Sequence, residues 1–169
     1  MMKLNTTLKI GLFGIGLDTY WPQFEGLKER LEGYLGVVEA KLATVHPNIV
    51  NVGLVDSPDK AFEAGKHFKT EDVDIIFLYV TTYALSSTVL PVVQRAKVPV
   101  IILNLSPAPA IDYTSFNAMT DRTQMTGEWL AHCQACSLPE IAAVFNRARI
   151  GYSMVTGHLE YPTAWEKIG

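Results

Sequence analysis

Two short loops carry the residue types most suited to chemistry. Asp18, Thr19, Tyr20 and Trp21 follow an apolar run, Leu8–Phe13, and the glycines Gly14 and Gly16. Thr81, Thr82 and Tyr83 follow a second apolar run, Asp74–Val80. Rings stack on apolar sugar faces, while hydroxyls and a carboxylate hydrogen-bond to polar ones. The combination therefore points to a sugar or a similar polyol; the alternative for Thr81-Thr82-Tyr83 is a hydroxyl-capped turn with a half-buried tyrosine. Arg122, beside Asp121, can reach an anionic or hydroxylated ligand, and His158 follows the last apolar run of the chain. These nine residues are the candidate substrate-binding set; no catalytic residue and no metal ligand is assigned. Asn104 is a further residue able to orient a ligand or to pin its own loop.

Other chemistries fit less well. A dinucleotide fingerprint needs G-x-G-x-x-G and an acidic residue roughly 20 positions on. Gly14 and Gly16 supply its first two glycines, but the third position is Thr19, and Asp56 is too distant to serve as the acid. Two bulky rings would also crowd a pyrophosphate. His46, His67, His132 and His158 show no H-x-x-x-H or H-E-x-x-H spacing, and no G-x-S-x-G elbow is present. Cys133 and Cys136 form a C-x-x-C. Such pairs do redox work when a helix N-terminus favours the thiolate. Here the pair is expected to end a helix over Gly127–Ala135, where the dipole has the wrong sign. Structural thiols are the expectation.

These loops need a scaffold, and the pattern supplies one. Apolar runs at Leu8–Phe13, Ile49–Val55, Asp74–Val80, Val98–Leu105 and Ile150–Val155 predict five strands. The middle runs lack alternation, as a parallel sheet covered on both faces requires. Between them lie helical patterns. The first, Pro22–Leu42, has Leu27, Leu31, Tyr34, Leu35 and Val38 at helical spacing. Ser57-Pro58 caps a second helix over Asp59–Phe68. A third opens at Ser86 or Ser87 and ends near Lys97, with Pro91 in or near its first turn. Others follow at Asp121–Ala135 and Pro139–Ala148, and a last one begins at Thr163–Ile168. The expected fold is a flavodoxin-like or Rossmann-like three-layer α/β domain with a parallel sheet in the order 2-1-3-4-5. In such sheets ligands bind beyond the carboxyl ends of the strands.

The 169 residues make one domain by size, 49% hydrophobic with mean hydropathy +0.16, enough for a sizeable core. A net charge of −3 and no basic block argue against nucleic acid or an anionic membrane as partner. The start, Met1-Met-Lys-Leu-Asn-Thr-Thr7, lacks a secretory apolar region, and no apolar run has the length of a spanning helix. The cytoplasm is the expected compartment. Trp165 and Ile168, in a helix that has hardly started, fit either a natural amphipathic cap or a chain continuing into further domains.

Four stretches in combination resemble the N-terminal domain of the L-arabinose/L-fucose isomerase-like sugar isomerases. They are Gly16-Leu-Asp-Thr-Tyr-Trp-Pro22, Tyr79-Val-Thr-Thr-Tyr83, Asp121-Arg-Thr-Gln-Met-Thr-Gly127, and Val155-Thr-Gly-His158 with Glu166-Lys-Ile-Gly169. The resemblance implies one domain of a longer, multi-domain subunit in a homo-oligomer. That subunit would interconvert aldoses and ketoses with a divalent metal, usually Mn2+. The ligands of that metal belong to later domains, so no cofactor is expected within this chain. The domain would cover a monosaccharide site in a neighbouring subunit, with Tyr20 and Tyr83 on the substrate side, and would not catalyse alone. The alternative is a stand-alone sugar- or nucleotide-binding α/β module.

Overall fold

The computed structural model describes residues 8–168. The N-terminal stretch read above for a secretory signal, and Gly169, lie outside the described residues. Five parallel strands form one sheet in the order β2-β1-β3-β4-β5. They are β1 (Lys9–Ile15), β2 (Asn48–Val55), β3 (Ile75–Tyr79), β4 (Val100–Ser106) and β5 (Tyr152–His158). This is the expected flavodoxin-like α/β arrangement. Seven helices connect or follow the strands: α1 (Leu27–Ala43), α2 (Pro58–Thr70), α3 (Leu90–Ala96), α4 (Tyr113–Ala118), α5 (Arg122–Leu130), α6 (Leu138–Arg147) and α7 (Pro162–Trp165).

The middle strands lack alternation because both of their faces are covered. Ile10 and Leu12 of β1, with Phe77 and Tyr79 of β3, pack against Leu31, Leu35, Val38 and Leu42 of α1 and Leu130 of α5. Phe13, Ile76 and Leu78 point the other way, onto Phe68 of α2, Val92 and Val93 of α3, and Ile141 and Phe145 of α6. Each such fully buried side chain contributes ~1.5–3 kcal/mol. The edge strand β2 is only half-buried over Ile49–Gly53. It carries one extra residue opposite Leu12–Gly14, accommodated by Gly53 at φ 76°.

Several boundaries differ from the sequence expectation. The first helix begins at Leu27, not Pro22, because Gly26 at φ 75° breaks the helical path and residues 21–26 form turns. The fifth strand starts two residues later than expected and ends three later, since β4 pairs it from Val100–Tyr152 through to Ser106–His158. Helix α4 was not anticipated. It buries no residue and is held by Asp112 Oδ1, which accepts from the Thr114 and Ser115 amides. Helix α5 stops at Leu130, five positions short of the expected Ala135, and a 3-10 turn, Gln134–Ser137, runs directly into α6. Cys133 and Cys136 are accordingly not at the end of a helix, and they are not free thiols: they form a disulfide. Among the described residues no helix is long and apolar enough to cross a membrane.

The closest helix–helix approach is between α2 and α3. A Cβ on Gly65 would stand 2.8 Å from the Val92 carbonyl oxygen and 2.9 Å from that of Pro91. Backbone atoms cannot step aside as a side chain can. Gly65→Ala should therefore destabilise the fold by roughly 1–3 kcal/mol. A lower urea midpoint at unchanged slope would register this, and an unchanged midpoint would contradict the packing.

Candidate functional site

The strand order reverses between β1 and β3: β1 continues to β2 on one side and meets β3 on the other. The crevice beyond the carboxyl ends of these strands is the place where open parallel sheets bind ligands. Thr81 closes its floor. Its hydroxyl accepts from the Ile15 amide at 3.1 Å and donates to the Ile15 carbonyl, extending the β1–β3 ladder through a side chain. Thr82 donates to the Leu130 carbonyl at 2.7 Å and so fixes the end of α5. Both threonines are fully buried. Of the residues chosen from sequence, these two hold the edge together; they do not face outward.

Trp21 is also held from within. Its indole N–H donates to Asp56 Oδ2 at 2.9 Å. Its ring lies over Gly16, where a Cβ would approach within 2.8 Å. Asp56 is 1% exposed, and the Lys60 ammonium meets its Oδ2 as a hydrogen bond and its Oδ1 as an ion contact only, each at 2.8 Å. Asp56 also accepts from the Asp18 amide through its carbonyl, at 3.1 Å. Asp18 and Thr19 ride on this turn with exposed side chains.

Tyr20 and Tyr83 follow β1 and β3 at the same end of the sheet, and both pack on the same core cluster. Tyr20 is half-buried and packs edge-on against Trp21 at 6.4 Å and Phe24 at 5.8 Å between centroids. Burial, and then the charge of the adjacent Tyr83, raise its phenol above the ordinary value. Tyr83 reaches across to α6, where its hydroxyl lies 3.5 Å from Glu140 Oε2, a weak hydrogen bond. The other oxygen of Glu140 accepts from the Ser86 amide at 2.7 Å. A cleft of about 550 Å³ adjoins the Tyr20 side, with Gln23, Phe24, Met119, Asp121 and Gln124 among its walls. At its base Arg30 and Glu128 form a two-pronged ion pair. The pair holds the Glu128 carboxyl below its ordinary value and raises the Arg30 guanidinium.

The remaining sequence candidates lie elsewhere. Arg122 lines a separate hollow of about 270 Å³ with Phe116, Met125 and Trp129. His158 ends β5, two strands away from β3, with its ring edge-on to Tyr161 at 5.0 Å and its Nδ1 buried without a partner. Asn104 is nearly buried and spans to Thr156 at 3.4 Å. Among the described residues no group of three or more His, Cys, Asp or Glu is placed to hold a metal. Larger hollows exist away from the crevice. One of about 690 Å³ lies between α2 and α3. Another, of about 720 Å³, lies at the opposite edge of the sheet and is lined by Lys97 and Arg149 at helix C-termini. Neither brings together rings and hydrogen-bonding groups at strand ends, so size alone does not make them the site.

Sequence reasoning missed Phe24, Glu140 and Gln134. Phe24 was absorbed into an expected helix. Glu140 lies in the first turn of α6, where an acid suits the helix dipole whatever else it binds. Gln134 is fully buried and donates to the carbonyls of Thr81 at 2.9 Å and Ala131 at 2.8 Å. Only its position inside the C-x-x-C could have singled it out.

No protein-family model matches the chain. No curated protein sequence matches it either. Among solved structures, one described as "a putative acylhydrolase" from Bacteroides fragilis aligns over 92% of this chain and 74% of its own, with 11% identity and a TM-score of 0.44. A likeness of that size carries no chemistry across. The expectation of a sugar isomerase domain is corrected by these findings: no family model and no curated protein joins the chain to that family. The isomerase activity and the manganese inferred from the resemblance fall with it. The resemblance rested on short loop motifs, and the fold accounts for several of those residues itself. Gly16 admits the Trp21 ring, Thr81 and Thr82 bind backbone, and Asp121 caps α5 by accepting from the Thr123 amide at 2.7 Å.

The juxtaposition of the two rings is open to titration. Removing the Tyr83 hydroxyl leaves burial as the remaining cause of the Tyr20 shift. In Tyr83→Phe, Tyr20 should ionise at a lower pH than in the parent, yet still above 10.0. Carbon chemical shifts of labelled tyrosine across pH would show it. An unmoved Tyr20 titration would contradict the contact.

Proposed function

We propose that this chain is a binding module whose β1/β3 crevice takes a sugar or a similar polyol. The observation that carries this reading is the placement of Tyr20 and Tyr83 on the two loops that leave β1 and β3 at the reversal point of the sheet, both packed on the same core cluster. The rings offer apolar faces. Glu140, Asp18 and the exposed hydroxyl of Thr19 offer polar partners around them. Aromatic contacts of this kind contribute ~0.5–1.5 kcal/mol each.

A binding role suits the hydroxyls at the edge. Those of Thr81 and Thr82 are committed to backbone groups, and His158 faces a tyrosine ring instead of a nucleophile. The nucleotide alternative is opposed by Trp21. A phosphate approaches a glycine turn through bare backbone and a following helix N-terminus. Here the indole covers Gly16, and α1 begins only at Leu27.

The experiment is calorimetric titration with a panel of pentoses, hexoses, linear polyols and nucleotides. Saturable binding of at least one sugar or polyol is expected. Tyr20→Ala and Tyr83→Ala should each weaken it about 3- to 10-fold, equivalent to ~0.7–1.4 kcal/mol, without loss of helical circular dichroism. Preference for a nucleotide, or affinity indifferent to both substitutions, would overturn the proposal.

A further inference from the structure

The C-x-x-C lies on the same edge of the sheet as the crevice, and its surroundings are unequal. Cys133 is 2% exposed, whereas Cys136 is solvent-exposed. The bridge spans a sequence separation of only 3, with Cα atoms 5.5 Å apart. So short a loop contributes close to the least chain-entropy stabilisation a disulfide can supply. Stapling the fold is a poor account of it.

Its location suits exchange better. Cys133 is the residue from which the 3-10 turn Gln134–Ser137 departs, and that turn passes into the ten-residue α6. Cys136, the exposed residue of the pair, is the one an incoming thiol reaches, and the buried Cys133 is the sulfur left behind. Between the cysteines, Gln134 is fully buried and bonds the carbonyls of Thr81 and Ala131, while its own Oε1 has no partner. The disulfide ring thus fixes the backbone from which Gln134 grips the loop after β3.

We propose that Cys133 and Cys136 form a thiol–disulfide exchange site for low-molecular-weight thiols, entered at Cys136 and coupled through Gln134 to the Thr81–Ser86 loop. A thiolate RS⁻ attacks Cys136 Sγ, an RS–Sγ bond forms, the Cys133–Cys136 bond breaks, and its electron pair leaves on Cys133 as a thiolate. A second RS⁻ attacks the R-bearing sulfur and releases Cys136 thiolate with RSSR. Two thiols are oxidised to one disulfide, and the protein disulfide is reduced to two thiols that take protons from water. The reverse sequence, with RSSR as oxidant, closes the bridge. None of this depends on the identity of a ligand in the crevice.

The test uses the full chain in native buffer with glutathione at varied ratios of reduced to oxidised form. Exchange is quenched with acid, thiols are alkylated, and intact mass counts them. Conversion between no and two alkylated thiols should be complete and reversible. Cys133→Ala should accumulate one glutathione on Cys136, whereas Cys136→Ala should leave Cys133 unmodified. On reduction of the parent, hydrogen exchange over residues 81–86 should quicken several-fold. A bridge that stays closed in excess reduced glutathione would overturn the proposal. So would thiols that stay open in excess oxidised glutathione, or exchange over 81–86 that ignores the redox state. The parent titration stands even if a variant fails to fold.

Discussion

A parallel sheet loses its ladder where two neighbouring strands part to make a crevice. The backbone groups at that point must still find partners, since unpaired buried ones cost ~1–3 kcal/mol each. In this chain the hydroxyl of Thr81 supplies both partners for Ile15, acceptor to its N–H and donor to its C=O. The loops after β1 and β3 are then free to diverge above a satisfied floor. Tyr20 leaves on one side and Tyr83 on the other, and the space between their starting points is the proposed site. The same Thr81 accepts from Gln134 through its carbonyl. One buried residue therefore links the sheet, the crevice and the disulfide segment.

A second constraint shapes the β1 side. Gly16 has no side chain because the Trp21 indole occupies the space. The indole in turn is anchored on Asp56, a buried carboxylate at the end of β2 that Lys60 neutralises. This arrangement uses the glycines for packing. It delays the first helix to Leu27 and turns the start of the connection into a platform that bears Asp18, Thr19 and Tyr20. A dinucleotide turn uses equivalent glycines in the opposite sense, to let a phosphate in.

The architecture was legible because burial on both faces writes continuous apolar runs, as in Ile75–Tyr79 and Val100–Ser106. The ends of elements were less so. Pro22 looks like a first helical residue, and only Gly26 in a left-handed conformation reveals the later start. Tyr20 and Tyr83 follow β1 and β3, and a parallel sheet puts the loops after both strands at one end. Composition could not say which polar residues point outward, and so Thr81 and Thr82 looked like ligand groups when their hydroxyls belong to the backbone. The cysteines show the same limit. Their helix was expected to run on to Ala135, but α5 ends at Leu130, and this moves them from the C-terminal end of one helix to the N-terminal side of the next. Short loop motifs also proved a weak basis for a family resemblance, because several of their residues are explained by packing.

The central claim is that ligand binding takes place at the β1/β3 reversal point and not in the larger hollows elsewhere. Backbone amide shifts of the nitrogen-labelled chain, followed through titration with the sugar or polyol it binds best, test this directly. The largest shifts should fall in residues 17–21 and 81–86, with smaller ones at 134 and 140. Shifts concentrated in 97–101 and 148–153, at the opposite edge of the sheet, would contradict it.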